Sequence, residues 1–432
     1  MQSVKGYLSA LSFGATAKAA ALAIGLVLEI LIAKTLDASH YGVYSFGIAV
    51  MAAMTLVLTR GTKNTVLKHA AILEHDRTNT RRLFHWVRRK VFRASLVVMP
   101  LALLLIVPLV HTNDSMDTRI YLIVIFLAVA VSFTQLHQSY FHARKDTVRA
   151  QLYEDIIKPS LTLLFVLMLI FLFGVAESPL AFILCYAGAA ILAFLISLKK
   201  VAGSLYGKET PSADQQAEWE SSRKEFFRLA ILDFVFKRVD ILILSFILSS
   251  AEVGGYKIAV RVAELTALPL WLSNLYVGPL ISKLYADREH FRLESLLSTT
   301  SKICFVATLI GLGAFLLIGE PFLGWLGERY ADMYGAILII MAGCIYSVAC
   351  GPVEAVLILT SHTRTAFRIQ SITAVITLAL LVSLTMLFGA FGAASAIAAG
   401  TVIWNTWMLI VIAKQMKINP SILPLRLQQK SD

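Results

Sequence analysis

Twelve apolar runs of roughly twenty residues each, separated by short polar connections, leave this chain almost no choice of fold. They cover residues 10–36, 41–62, 92–110, 119–141, 148–174, 178–198, 226–249, 254–283, 295–318, 334–360, 366–388 and 392–413. Only 15% of the 432 residues are charged and 58% are apolar, whereas soluble domains carry about 25% charge. The polar residues are too few to cover a water-exposed surface of that size. Inside a bilayer each backbone N–H and C=O must be satisfied within its own segment, so runs of this length read as helices. The first run extends about 25 residues with no small-residue cleavage site after it, so it reads as a span and not as a removable leader.

Lys and Arg set the orientation. The connection 62–93 holds Lys63, Lys68, Arg77, Arg81, Arg82, Arg88, Arg89, Lys90 and Arg93. The later connections on the same side carry Arg144, Lys145 and Arg149, then Lys199, Lys200, Lys208, Arg223 and Lys224, then Arg288 and Arg292, then Arg364. The alternate connections 111–118, 174–178, 249–255 and 389–391 carry none, and Arg329 in 319–333 is the exception. Both termini are therefore expected on the cytoplasmic side, and the net charge of +12 reads as basic cytoplasmic loops. The run Arg81–Arg93, with Phe84 and Trp86 interleaved, reads as an interfacial segment against anionic lipid heads, not as a nucleic-acid patch. Cys185, Cys304, Cys344 and Cys350 all lie in apolar runs with no Cys/His cluster, so no metal, cofactor or redox site is expected.

The longest link between spans, near 200–225, contains Gly207, Pro211 and the polar run Ser212–Glu220. It reads as a cytoplasmic linker over 201–225, between a six-helix lobe at 1–200 and a second at 226–414, with a tail at 415–432. An internal repeat supports two halves. Tyr41-Gly42-Val43-Tyr44 recurs as Val253-Gly254-Gly255-Tyr256, and Phe141-His142-Ala143-Arg144 pairs with Ser361-His362-Thr363-Arg364. Repeats of this kind are common in transporters, with the substrate site near the midplane where the repeats meet.

The motif small–Leu–polar turn–Tyr-Gly-x-Tyr in the first hairpin resembles the polysaccharide-transporter family of the multidrug/oligosaccharidyl-lipid/polysaccharide exporter superfamily. Lys237-Arg238-Val239-Asp240 before Val253-Gly254-Gly255-Tyr256 is similar to it as well, as are Ser361-His362-Thr363-Arg364 and the Gly/Ala hairpin Gly389-Ala390-Phe391-Gly392-Ala393-Ala394. The resemblance spans nearly the whole chain, and the order of the motifs is its specific part. It implies an all-α membrane transporter with two pseudo-symmetric six-helix lobes around a central cavity. It also implies a cargo: a polyprenyl-pyrophosphate-linked oligosaccharide, flipped from the cytoplasmic to the outer leaflet, as O-antigen and exopolysaccharide flippases do in lipopolysaccharide and related surface-polysaccharide synthesis. Twelve spans argue against the fourteen-span peptidoglycan-precursor flippases.

A charge inside the bilayer costs about 2.5–3.5 kcal/mol on insertion scales and faces water or a partner. Lys257, Arg261 and Glu264 follow at i, i+4 and i+7, on one helical face. At 1.5 Å per residue, Arg261 and Glu264 lie roughly 10–15 Å deep. Asp233, Lys237 and Asp240 repeat that spacing on the preceding span, with Arg238 about 100° away. The first span carries Lys18 and Glu29, and the fifth carries Glu154, Asp155 and Lys158. One reading makes Lys237, Arg238, Lys257, Arg261, Lys18 and Lys158 the cationic lining for a pyrophosphate, which Arg grips bidentately and Lys meets as a point charge. Glu29, Asp233, Asp240, Glu264 and Asp155 would then balance charge or couple transport to protons. The other reading makes them structural ion pairs, Lys237 with Asp233, Arg261 with Glu264 and Lys158 with Glu154, and leaves Lys18 to snorkel. Gly351-Pro352 ahead of Glu354 marks an expected kink.

The alternative of a cation-coupled multidrug exporter favours an acidic, aromatic pocket. A membrane polymerase or glycosyltransferase needs a sizeable loop domain with catalytic carboxylates, and no connection here is long enough. The expected setting is a bacterial inner membrane, with no catalytic residue and no nucleic acid. The expected partners are the lipid-linked glycan, membrane lipids and polysaccharide polymerase or assembly proteins.

Overall fold

The computed structural model describes residues 4–73, 76–111, 117–174, 177–205 and 209–422, and every regular element among them is helical. The chain divides into two compact units, Met1–Leu242 and Ile243–Asp432.

In the first unit the helices are α1 (Val4–Thr35), α2 (Ala38–Thr59), α3 (Thr62–Ile72), α4 (Arg77–His111), α5 (Thr118–Ala143), α6 (Thr147–Gln151), α7 (Lys158–Phe173), α8 (Pro179–Leu205) and α9 (Ala213–Lys237). A π-helical turn, Leu152–Ile157, joins α6 to α7. The boundary between the units falls within α10 (Val239–Leu244). The second unit continues with α11 (Ser250–Glu264), α12 (Leu268–Ala286), α13 (His290–Leu326), α14 (Glu328–Ala331), α15 (Tyr334–Cys350), α16 (Val353–Leu359) and α17 (Thr363–Met416).

Helix occupies most of each of the twelve expected runs. Among the described residues six helices are long and apolar enough to cross a bilayer, or up to eight if each bent pair is one span. One of those six, α17, contains the last two runs, separated at Gly389 where φ is 58°. Helices α4 and α9 begin polar and become apolar only midway, as helices do that start in water and end in lipid.

Local chemistry explains the ends. Asp37 caps α2 by accepting from the His40 N–H at 2.7 Å. Ser249 and Glu252 form a reciprocal capping box at the start of α11. The register that pairs Tyr41 with Val253 also pairs the cap Asp37 with the cap Ser249, so that repeat is a repeat of structure. The second sequence match is displaced. The ends of α5, Thr118 and Ala143, match the ends of the pair α15–α16, Tyr334 and Leu359. In that register Arg144 falls opposite Thr360, not Arg364. Arg144 closes α5 and Arg364 lies in the first turn of α17. The tetrapeptides therefore match one helical turn out of structural register.

The segment expected as a linker is helical from Ala213 and packs on the first unit. Ser212 and Gln215 cap it reciprocally. Trp219 is 3% exposed, its ring 5.7 Å from that of Trp86 and edge-on to His69. Arg223 donates to the Arg60 carbonyl at 3.1 Å. The turn that receives α9 has Arg60 at φ 44° and Gly61 at φ 84°. A Cβ on Gly61 would lie 2.5 Å from the Arg223 carbonyl oxygen and 2.5 Å from the Phe227 nitrogen. Only glycine permits both that backbone and that approach. The aromatic residues of the basic run also face protein: Phe84, Trp86, Val87 and Val91 are buried in the same core as Trp219. Arg89 and Arg93 stay exposed.

In the second unit the expected kink is present. Helices α15 and α16 meet at 46° across Gly351-Pro352, with Gly351 at φ 78°. Residues 417–422 fold back onto this break. The Pro420 carbonyl accepts from the Ser301 hydroxyl at 2.7 Å, and the Ile422 N–H donates to the Ala349 carbonyl at 3.0 Å.

Candidate functional site

Each unit holds its own group of ionisable side chains inside an apolar run. In the second unit the group stands on α11. Gly254-Gly255-Tyr256 packs the start of this helix tightly. Tyr256 is fully buried, and a Cβ on Gly255 would meet the Met333 side chain at 2.8 Å. The helix then runs unbroken to Glu264, so Lys257, Arg261 and Glu264 share the expected face. Arg261 and Glu264 approach to 3.5 Å, with Glu264 more than half exposed. Beyond Glu264 the helix tightens to a 3₁₀ turn, Leu265–Ala267, because Pro269 at the start of α12 has no N–H to continue the ladder. The Thr308 hydroxyl donates to the Thr266 carbonyl at 2.8 Å. Two cations and one acid on an accessible face, part-way along an apolar run, form a surface that meets water or an anion and not lipid tails.

In the first unit the group is gathered at the π turn. The π turn carries Glu154 and Asp155, and Lys158 follows it as the first residue of α7. Lys158 and Glu154 form an ion pair with both side chains nearly buried. The Lys158 ammonium also stands 5.4 Å over the Tyr186 ring. Asp155 accepts from Gln138 of α5 at 3.4 Å. Tyr44, buried in α2, lies within electrostatic range of Tyr186 and of Glu29 on α1. Glu29 therefore stands on the Tyr44 side of this group. Gln138, Tyr44 and Tyr186 are members that sequence spacing does not reveal, because they come from three other helices.

The third expected group departs from expectation. Lys237 and Asp233 pair one turn apart, and both are exposed. Arg238 is not helical, with φ −144° and ψ −21°. The helix ends there, so Asp240 does not continue the Asp233–Lys237 face. It opens α10, accepting from the Ile241 N–H at 2.8 Å. Arg238 itself is exposed at the break. Lys18 lies in α1, and its side chain is outside the described residues.

A parallel pair occurs in the second unit, where Gln370 of α17 donates to Glu354 of α16 at 2.8 Å. Glu354 lies in the first turn after the Pro352 kink.

The family described as polysaccharide biosynthesis protein matches residues 11–285. No curated protein matches the chain closely enough to count as a relative. Among solved structures, the lipid II flippase MurJ in an inward closed conformation superposes with a TM-score of 0.71 at 15% identity, over 93% of this chain and 87% of that one. An inward-facing multidrug resistance MATE family transporter of the MOP superfamily gives 0.66 at 14% identity, over 93% and 99%. A MOP superfamily transporter from Pyrococcus furiosus, described as having a binding pocket of reverse polarity, gives 0.62 at 11% identity, over 96% of each chain. The chain therefore has the MOP-superfamily transporter fold.

Proposed function

This chain belongs to the polysaccharide biosynthesis protein family, and from that premise we propose that it flips a polyprenyl-pyrophosphate-linked oligosaccharide from the cytoplasmic to the outer leaflet by alternating access. The observation that carries the reading is the α11 face. Lys257 and Arg261 outweigh Glu264 on an accessible helical surface within an apolar run. A pyrophosphate brings at least two negative charges, and a guanidinium one turn from an ammonium suits it better than a cationic drug. Lys237 and Arg238, exposed at the end of α9, are further candidate cations for a headgroup of this kind. No covalent step is needed.

The π-turn group supplies the acids for coupling, Glu154 and Asp155, and Glu29 near Tyr44 is a further candidate. Taking up a proton on Glu154 would release Lys158, and the exchange of partners would change how α7 packs. The same acids favour a second reading, a cation-coupled multidrug exporter. The setting proposed for either is a bacterial inner membrane, with twelve spans and cytoplasmic termini. For the flippase, the partners are the lipid-linked glycan for O-antigen or exopolysaccharide synthesis and the polymerase or assembly proteins that use it.

The test is flipping of a fluorescent polyprenyl-pyrophosphate glycan in proteoliposomes. Wild type is expected to flip, and Lys257→Ala and Arg261→Ala proteins with normal insertion are expected to lose at least tenfold in rate. Undiminished flipping in both variants would remove α11 from the site. Export of a cationic dye driven by a proton or Na⁺ gradient, with no glycolipid flipping, would replace the flippase by the exporter.

A further inference from the structure

The first unit contains a cavity that the transport reading does not use. It has a volume of about 310 Å³ and is lined by Arg77, Thr80, Arg81, Tyr140, Arg144 and Gly203. Its place is the side to which the Lys/Arg pattern assigns the cytoplasm. Small-ligand pockets start at about 300 Å³.

Three guanidiniums meet there from two helices. Arg77 and Arg81 stand one turn apart on α4, a like-charge spacing that weakens a helix unless something neutralises it. Arg144 comes from the end of α5 and lies 5.4 Å over the Tyr140 ring. That ring is held edge-on against Phe84 at 5.6 Å, so the wall under Arg144 is fixed by core packing. Glu209 reaches Arg81 at 3.5 Å, while a second edge of Arg81 donates to the Gly203 carbonyl at 3.0 Å. Two other acids close in sequence are engaged elsewhere. Asp76 accepts from the Asn79 N–H and side chain, and Asp146 pairs with Arg149. The lining residues include three arginines and no carboxylate, and the Thr80 hydroxyl is spent on the Asp76 carbonyl at 2.7 Å.

We propose that this pocket binds a phosphate-bearing group at the cytoplasmic leaflet. Guanidinium forks match phosphate oxygens two at a time, and the ring stacked under Arg144 presets one of them. Two sources carry that chemistry: a water-soluble phosphate or pyrophosphate, and the headgroup of an anionic lipid. Binding here does not depend on whether the chain flips a glycolipid.

The experiment uses the purified full chain with two probes. Inorganic pyrophosphate is titrated by calorimetry in detergent, and phosphatidic acid is offered against phosphatidylcholine in nanodiscs, with retained lipid read by native mass spectrometry. Arg77→Gln is the main variant, because Arg77 is exposed at a helix start and its loss spares the core. Arg144→Gln is the second, and Arg292→Gln, an exposed arginine paired with Glu289, is the control. All are also measured in a Lys257→Ala/Arg261→Ala background, which separates this pocket from α11. The expected result is at least tenfold weaker pyrophosphate binding in Arg77→Gln and Arg144→Gln, and no change in Arg292→Gln. Selective loss of phosphatidic acid retention in those two variants, without pyrophosphate binding, would support the pocket with a lipid as occupant. Equal binding of both probes by all variants, or binding of neither by wild type, overturns the proposal.

Discussion

Helices α2 and α11 start at the same point of the repeat, but they carry opposite chemistry. In the register that pairs Asp37 with Ser249, the counterparts of Lys257, Arg261 and Glu264 are Ser45, Ala49 and Ala52. In the first unit this face is small, and Ser45 and Ala49 are buried against neighbouring helices. In the second it is charged and accessible. The reverse holds at the π turn. In the register that pairs Thr118 with Tyr334, the counterparts of Glu154, Asp155 and Lys158 are Gln370, Ser371 and Ala374, in a regular stretch of α17. Even the bridge between adjacent helices is inverted. Gln138 donates to an acid on the following helix, whereas its counterpart Glu354 accepts from Gln370. One backbone plan thus holds its charges as a nearly buried group in one unit and, in the other, as a part-exposed face that carries its own Arg261–Glu264 pair. Buried pairs are stabilising only while both partners remain, and open charges cost little to remove.

That contrast sets the sizes of the effects to be measured. Lys158→Met leaves Glu154 nearly buried without its partner and is expected to cost about 3–5 kcal/mol, read as a large drop in melting temperature in detergent. Adding Glu154→Gln should recover most of the loss. Lys237→Met, which breaks the exposed pair with Asp233, should cost under about 1 kcal/mol. Similar losses for the two lysines would erase the distinction between buried and open charge.

A smaller effect is expected where α9 docks. Gly61→Ala forces a side chain into a left-handed backbone and against two backbone atoms, at about 2–4 kcal/mol. The matching position in the second unit is Ser273, inside α12, and Ser273→Ala should change little. Fraction folded after a heat step, followed by size exclusion, compares the two directly. A Gly61→Ala protein as robust as the Ser273→Ala one would mean that α9 is not held by that turn.

The smallest effect is one of pH, and it is confined to the first unit. Hydrogen bonding from Arg223, aided by Lys90, holds the Glu220 carboxyl down at about 2. Its ordinary value is 4.5, so its stabilising share is present above that and is lost as pH falls toward 2. Burial holds the His69 ring neutral against the weaker pull of Glu218. The unfolded chain therefore takes up its proton first, and stability also falls as pH drops below 6.5. The Glu220 share is partly screened by solvent and amounts to about 1 kcal/mol. Relative to the intrinsic exchange rate at each pH, protection of the amides over 213–225 should fall on acidification while that at the start of α13 stays unchanged. An equal loss of protection in both regions would assign the effect to the whole protein.

The spans are legible in the sequence because apolar length is a strong signal, and the α11 face because an unbroken helix preserves spacing. What escapes the sequence depends on neighbours. Ser212–Glu220 is polar by count, yet Trp219 and the small Ser222 lie on one face and bury against α3 and α4. Phe84 and Trp86 look like lipid anchors until α9 covers them. The Asp233–Lys237–Asp240 pattern assumes a helix that in fact ends at Arg238. The pairing of Lys237 with Asp233, of Arg261 with Glu264 and of Lys158 with Glu154 is open to local reasoning, since each lies within one turn. Whether a pair is buried depends on which other helices stand beside it, and spacing alone carries no information on that.

The break at Gly351 is finished by a segment that lies far downstream, beyond the whole of α17. A side chain there would meet the Pro420 carbonyl at 2.4 Å, and that carbonyl is also the acceptor for Ser301. During synthesis the kinked helix therefore enters the membrane before the segment that completes it has been made. Throughout that interval the Ser301 hydroxyl and the Ala349 carbonyl must find other partners, so the bend is completed only after the last span has been made.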